Sequence, residues 1–174
     1  MPLAYIALGS NLGDRLGQMQ NALEQLQSRF ALRVLRVSPV YENRAVGMGA
    51  DAGDFLNAVV EISTALQALE LLDVCMEVET QLGRTRSDAG WVPRTIDLDL
   101  LHYEGVIMQD EKLILPHPRI TERDFVAVPL ADLAPDLEIY DRAVSAIVKD
   151  LPVIELKLVE HKLLTPEREH HKRL

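Results

Sequence analysis

The order of hydrophobic and polar positions divides the chain into alternating strand-like and helix-like segments. Apolar runs predict strands at residues 3–8, 34–41 and 55–64, the last with two alternating faces. A helix is predicted after Asp14, because apolar side chains recur at helical spacing at Leu16, Met19, Leu23, Leu26 and Phe30. A second helix is expected over residues 66–82, where alanine, leucine and glutamate are frequent.

The second half of the chain repeats this alternation with shorter elements. We expect a turn and a short strand at residues 103–106, and short apolar or alternating segments at 113–115 and 154–158. Helices are predicted from Thr121 and over residues 142–150. Glycine-rich or polar segments at 43–54 and 84–93 predict long loops, which are often functional. This order predicts an α+β fold with a mainly antiparallel sheet.

One apolar run, residues 96–101, is interrupted by two carboxylates, Asp97 and Asp99. In a strand they would project from the same face, with their Cα atoms roughly 6.5–7 Å apart. Such a pair repels itself and loses hydration, and a divalent cation would remove both costs. The alternative is the ordinary solvated face of an amphipathic strand. Three arginines just upstream, Arg84, Arg86 and Arg94, favour a site for an anionic, metal-bound ligand.

Composition narrows the classes of protein. The chain has 174 residues, 48% of them hydrophobic, and a formal net charge of −9, which argues against binding to nucleic acid. The single cysteine, Cys75, cannot form a disulfide framework, and no signal peptide or membrane span is evident. We expect a cytoplasmic monomer with one domain over residues 1–160 and a charged tail over residues 161–174.

Five segments, taken together and in order, resemble the 6-hydroxymethyl-7,8-dihydropterin pyrophosphokinase family. The resemblance covers about residues 3–150, and its most specific part is the Pro-Arg-Thr-Ile-Asp-Leu-Asp motif. The segments are residues 4–14 (AYIALGSNLGD), 55–60 (FLNAVV), 82–86 (LGRTR), 91–99 (WVPRTIDLD) and 115–119 (LPHPR). The resemblance implies a ferredoxin-like α/β sandwich. It also implies transfer of a pyrophosphoryl group from ATP to the hydroxymethyl oxygen of the pterin, in folate biosynthesis.

The resemblance also implies roles for particular residues. Asp97 and Asp99 would bind two Mg²⁺ ions and, with Arg84 and Arg94, carry catalysis. The residues expected to contact ATP are Glu79, Arg84, Arg94, Leu100, His117 and Arg123. A phosphate beside His117 would favour its charged form.

The acceptor pocket is expected to hold a flat heterocycle. Phe55 and Phe125 would sandwich the pterin, and Asn57 would pair with its amide edge. Trp91, the only tryptophan, would help to close the site, and the backbone around Asn43 and Val46 would contact the pterin. This last segment departs from the family pattern, since residues 42–47 read Glu-Asn-Arg-Ala-Val-Gly where a threonine and a proline are common. By spacing alone, both phenylalanines could equally be core residues.

Two other functions remain open on the residues alone. A ligand-binding or regulatory module could keep the fold without catalysis. An RNA-binding domain of similar topology is opposed by the acidic composition and by the lack of a solvent-facing aromatic pair.

Overall fold

The computed structural model describes residues 1–44, 54–83, 96–152 and 154–167, which form an α+β sandwich. Its elements, in chain order, are β1 (Leu3–Ser10), α1 (Arg15–Gln27), β2 (Leu32–Val37), β3 (Tyr41–Asn43), β4 (Phe55–Thr64), α2 (Ala68–Gln81), β5 (Asp97–Tyr103), β6 (Met108–Gln109), β7 (Ile114–Leu115), α3 (Asp124–Leu133), β8 (Glu138–Ile139), β9 (Arg142–Ala143), α4 (Val144–Asp150) and β10 (Lys157–Leu158).

The main sheet has the strand order β10-β3-β4-β1-β5, with β2 also paired to β4. Every strand pair in it is antiparallel, so the predicted fold class is confirmed. The pairs β6–β7 and β8–β9 form two small separate ladders. The long strands β1 and β4 lie side by side within the sheet and contribute residues to both core clusters.

The two faces of the sheet have different coverings. Apolar side chains of one face pack with α1 and α2 into the larger core cluster, which includes Ile6, Leu8, Ile62 and Leu100. On the other face, Tyr5, Val59 and Leu101 pack with α3 and α4 into a second cluster. The remaining end of this second face carries Phe55, Asn57, Asp97 and Asp99. The fold therefore places the predicted polar residues beside a core rather than within one.

Several sequence predictions of element limits were wrong. The strand predicted over residues 34–41 is two strands, because Pro39 has no N–H for a ladder and Ser38 pairs with Val59 instead (backbone N to carbonyl O, 2.8 Å). Phe30 lies beyond α1 and is 93% exposed. The third helix begins at Asp124 rather than Thr121, because residues 117–123 form consecutive turns.

Other predicted features agree with the structure. Asp14 caps α1, since its Oδ1 accepts a hydrogen bond of 3.1 Å from the N–H of Gly17. Cys75 is buried on α2. The alternating segment near the C-terminus does form an edge strand, although only at Lys157–Leu158. The last predicted helix is shorter than expected and starts at Val144, after the two-residue strand β9.

The boundary predicted at residue 160 stays a prediction. Leu163, which lies beyond it, is 5% exposed and belongs to the larger core cluster. No helix among the described residues combines the length and the apolar character needed to cross a membrane.

Candidate active site

Strand β5 presents the two carboxylates as the period of a strand requires. Asp97 and Asp99 are partly exposed, whereas Leu98 and Leu100 between and after them are buried on the opposite face. Glu79 of α2 fixes this strand, because its Oε1 accepts a hydrogen bond of 2.9 Å from the backbone N–H of Leu98. The two aspartates are thus attached to a strand whose position is set from both the sheet and α2.

A row of three residues crosses the sheet at this point. Gly9 of β1 pairs with Asn57 of β4 on one side and with Asp97 of β5 on the other. A Cβ atom at Gly9 would lie 3.3 Å from Asn57 Oδ1 and 4.0 Å from Asp97 Cβ. Glycine therefore leaves the surface open between the predicted acceptor pocket and the predicted metal site.

The acceptor side of this row is polar and largely buried. Asn57 is 7% exposed, and its Nδ2 donates a short hydrogen bond to Oδ1 of Asn43. Strand pairing places Asn43 opposite Phe55, whose side chain is on the same face as Asn57. The structure thus brings Asn43, Phe55 and Asn57 together, and their contact with the pterin stays a prediction.

Phe125 lies at the beginning of α3, where it is partly buried against the second core cluster. The Cζ atom of Arg123 is 5.6 Å from the centroid of its ring, which is a cation–π contact. A residue expected to bind ATP and a residue expected to bind pterin are therefore neighbours. The sequence allowed Phe125 to be either a core residue or a pterin-stacking residue. Its ring is compatible with both, since part of it packs in the core and part remains exposed.

The positive groups of the site lie after β7. His117 is anchored by its backbone N–H, which donates to the carbonyl of Leu101 at 2.8 Å. Burial, followed by the charges of Arg123 and Arg119, lowers the pKa of His117, and Asp97 opposes this shift. Its Nδ1 accepts from the N–H of Arg119 at 3.1 Å, so the proton of the neutral ring is on Nε2. The charged form expected beside phosphate stays a prediction about the bound state.

A cleft of about 260 Å³ runs along the outer edge of β5. Its lining includes Asp99, Leu100 and His117, and also Lys112, which the sequence analysis missed. Leu100 as a whole is only 1% exposed, so its predicted contact with ATP stays a prediction. Lys112 gave no sequence signal, because a lysine in a polar turn is common; only its place in the cleft distinguishes it.

Negative charge is concentrated beside this cleft. The pKa of the Cys75 thiol is raised, first by burial and then by the charges of Glu79 and Asp99.

Among the described residues, no group of three or more His, Cys, Asp and Glu side chains forms a metal cluster. The predicted donor set is the carboxylate pair of Asp97 and Asp99. That set fits Mg²⁺, which binds through one or two carboxylates and completes its shell with water and substrate phosphates.

Four predicted site residues fall outside the described residues: Arg84, Arg94, Trp91 and Val46. Their predicted roles are not tested by the structure. Of the others, Glu79 is 3% exposed, and its observed contact is with the backbone of β5. Its predicted contact with ATP also stays a prediction.

Comparison with solved structures supports the fold. A crystal structure of an HPPK-DHPS protein in complex with substrates matches with a TM-score of 0.64 at 11% sequence identity, over 85% of this chain and 43% of that chain. A Plasmodium falciparum HPPK-DHPS structure matches with a TM-score of 0.65 at 13% identity. This chain thus spans less than half the length of those longer proteins.

Comparison of sequences shows the family. The 2-amino-4-hydroxy-6-hydroxymethyldihydropteridine pyrophosphokinase of Bacillus subtilis is 46% identical over 136 residues, which are 78% of this chain and 80% of the relative. The enzyme of the same name from Methylorubrum extorquens is 42% identical over 160 residues, 92% of this chain and 100% of the relative. The model of the 7,8-dihydro-6-hydroxymethylpterin-pyrophosphokinase (HPPK) family matches residues 5–135. The chain therefore belongs to the HPPK family.

Proposed function

We propose how this chain performs the reaction of its family, the transfer of a pyrophosphoryl group from ATP to the hydroxymethyl oxygen of 6-hydroxymethyl-7,8-dihydropterin. The observation that carries the proposal is the row formed by Asn57, Gly9 and Asp97. It joins an amide suited to a heterocycle with a carboxylate suited to a metal–phosphate complex. The acceptor oxygen and the phosphate chain can meet above Gly9.

On the acceptor side, Asn57 and Asn43 orient the pterin by hydrogen bonds to its amide edge. Phe55 and Phe125 stack on its two faces. This fixes the hydroxymethyl group over Gly9, which converts the reaction into one between positioned partners. Trp91 and the backbone of Val46 are proposed to complete the pocket.

On the donor side, Asp97 and Asp99 are proposed to hold two Mg²⁺ ions. Bound there, the metal would neutralise phosphate charge and polarise the attacking hydroxyl. His117 donates from Nε2 to a phosphate oxygen, and Arg123, Lys112, Arg84 and Arg94 neutralise the rest of the triphosphate. The purine side of ATP follows the edge of β5 along Leu100, near Glu79.

The acceptor oxygen attacks the β-phosphorus and releases its hydroxyl proton to solvent, the bond from that phosphorus to the oxygen that bridges the α- and β-phosphates breaks, and AMP leaves with the bridging oxygen. Such transfers need positioning and charge neutralisation more than covalent assistance from the protein. We propose that the chain acts in this way as a cytoplasmic monomer with one catalytic domain. The lone buried Cys75 agrees with a reducing compartment.

The substitution Gly9→Ala tests the proposed meeting point. The added methyl group would lie 3.3 Å from Asn57 Oδ1, and Asn57 cannot easily move because it is buried and bonded to Asn43. We expect a turnover loss of about tenfold or more, with ATP affinity changed by less than about twofold. Turnover and calorimetric binding of ATP are the measurements.

The control is Gly105→Ala. Gly105 has φ of +73°, so alanine strains the backbone there and lowers stability away from the site. Normal turnover in Gly9→Ala, or an equal loss in both variants, would contradict the proposal.

A further inference from the structure

Residues 157–164, which we call the C-terminal strap, contain none of the residues proposed to bind ATP, metal or pterin. The strap lies beyond residue 135, where the match to the family model ends. In the structure it crosses from the edge of the main sheet to α1. Both of its ends are held by specific contacts.

At one end, the strap completes the sheet beside β3. Strand β10 pairs Lys157 with Glu42 and Leu158 with Tyr41. The N–H of Val159 then donates to the carbonyl of Val40 at 2.9 Å. Strand β3 has only three residues. It is hydrogen-bonded on both sides, by β4 on one and by the strap on the other.

At the other end, the strap is fixed to α1 by a single glutamine. Gln20 Nε2 donates to the carbonyl of Leu164 at 2.9 Å, and Gln20 Oε1 accepts from the N–H of Leu164 at 2.9 Å. Leu163 beside it is 5% exposed and packs in the larger core cluster. Two side-chain hydrogen bonds to one residue and a buried leucine fix the direction of the strap.

The position of β3 matters because it carries Asn43. A strand this short has little stability of its own, and an unpaired edge would leave its backbone groups exchanging with water. Besides its backbone pairing with β4, β3 is held by single side chains: Arg15 Nη1 to Glu42 Oε2 at 2.7 Å, and the Tyr41 hydroxyl to Asp132 Oδ2 at 2.5 Å. The strap supplies the backbone pairing on the other edge of β3.

We propose that the C-terminal strap is a positioning segment for the acceptor pocket. It holds β3 against β4, so that Asn43 stays bonded to Asn57 and the amide pair is set before the pterin arrives. The inference rests on the proposed assignment of Asn43 and Asn57 to that pocket. We expect ATP binding not to depend on the strap, because the strap contacts β3 and α1, whereas the described donor residues lie on α2, on β5, on either side of β7 and at the start of α3.

The test compares Val159→Pro with Val159→Ala in the full chain. Proline removes the N–H that donates to Val40, whereas alanine keeps it and shortens the side chain. We expect Val159→Pro to raise KM for the pterin about tenfold and KM for ATP less than about twofold, and Val159→Ala to change neither beyond about twofold. A merely structural role would lower the active fraction and therefore kcat, with both KM values unchanged.

Two further variants make the result decisive. If Val159→Pro does not fold, Gln20→Ala, which removes both bonds to Leu164, replaces it with an expected rise of about threefold in KM for the pterin. Ile147→Val in α4 is the stability control and should leave both KM values unchanged. The inference is overturned if the strap variants bind the pterin normally while Asn57→Ala does not. Normal pterin binding by Asn57→Ala would instead overturn the pocket assignment, and the inference with it.

Discussion

At the scale of single residues, the site depends on which side chains the strand register places side by side. Gly9, Asn57 and Asp97 come from three strands and form one row. Each contributes something different: an open surface, a buried amide and a carboxylate. The chemistry of the row is therefore a property of the pairing rather than of any one motif.

Asp97→Asn removes one charge from the carboxylate pair and keeps the shape of the side chain. We expect turnover to fall by about a hundredfold or more, because the donor set for Mg²⁺ is halved, while the fold is unchanged. Calorimetry should show that Mg²⁺ no longer strengthens ATP binding. Asp73→Asn, an exposed aspartate of α2, is the matched control. Metal-dependent ATP binding of normal strength in Asp97→Asn would argue against the metal assignment.

Phe125→Ala separates the acceptor from the donor. Loss of the ring should weaken pterin binding about tenfold, since stacking and burial of the heterocycle are both reduced. ATP binding should change less, because Arg123 keeps its charge. Phe30→Ala is a suitable control, since Phe30 is 93% exposed. Equal losses for pterin and ATP in titrations of Phe125→Ala would exclude the sandwich.

Some of these residues could be predicted from the sequence and some could not. The period of a strand was enough to place Asp97 and Asp99 on one face. The role of Gly9 was not predictable, because its neighbours are set by pairing with β4 and β5, which are far away in sequence. The bond from Leu98 to Glu79 has the same origin, since it joins a strand to a helix across 19 residues.

At the scale of elements, a charged network connects the strands to α3 on the side of the second core cluster. Glu61 of β4 accepts from Tyr5 of β1 at 2.7 Å and from Arg36 of β2 at 2.8 and 3.0 Å. Arg36 also donates to the carbonyl of Leu133 at the end of α3. Glu61 is 6% exposed, and through Arg36 this network connects the C-terminal end of α3, the end away from Phe125, to the sheet.

The network gives a prediction about acid stability. Hydrogen bonds from Arg36, the largest cause, and from Tyr5 lower the pKa of Glu61 below its ordinary value of 4.5, although burial opposes the shift. A lowered pKa stabilises the folded state above the unfolded value, and this stability is lost as pH falls from about 4.5 through the folded pKa. Glu61→Gln should therefore lower the free energy of unfolding by about 1–3 kcal/mol at pH 7.

Chemical denaturation at several pH values measures this effect. The difference between wild type and Glu61→Gln should shrink below pH 4.5. KM values for both substrates should stay unchanged, since the network lies away from the site. A difference that stays constant from pH 7 to pH 3 would show that the charge of Glu61 is not the cause.

Element limits were predicted less well than element types. The helices and strands were found from their periods, yet the start of α3 was placed three residues early, because Thr121 looked like a cap. The division between β2 and β3 at Pro39 was missed, because the apolar pattern continues through it. The larger core cluster, in contrast, contains the apolar face of β4 that the alternation predicted, together with Ala4, Ile6 and Leu8 of the apolar run in β1.

At the scale of the whole molecule, the larger hydrophobic core and the candidate site lie on opposite faces of the sheet. One face is covered by α1 and α2 and forms the larger core. On the other face, α3 and α4 pack over part of the sheet, and the candidate site residues lie on the rest of that face, as far as the described residues show. Among the described residues, Arg119, Arg123 and Lys112 place positive charge near the carboxylates, which favours an anionic substrate despite the net charge of −9.

The most direct test measures AMP formed from ATP and Mg²⁺, with and without 6-hydroxymethyl-7,8-dihydropterin. Chromatography quantifies the nucleotides, and mass spectrometry detects the change in the pterin. We expect one AMP for each pterin converted, a pterin heavier by a pyrophosphoryl group, and no AMP when the pterin is omitted. Release of ADP, or release of AMP at the same rate without the pterin, would contradict it.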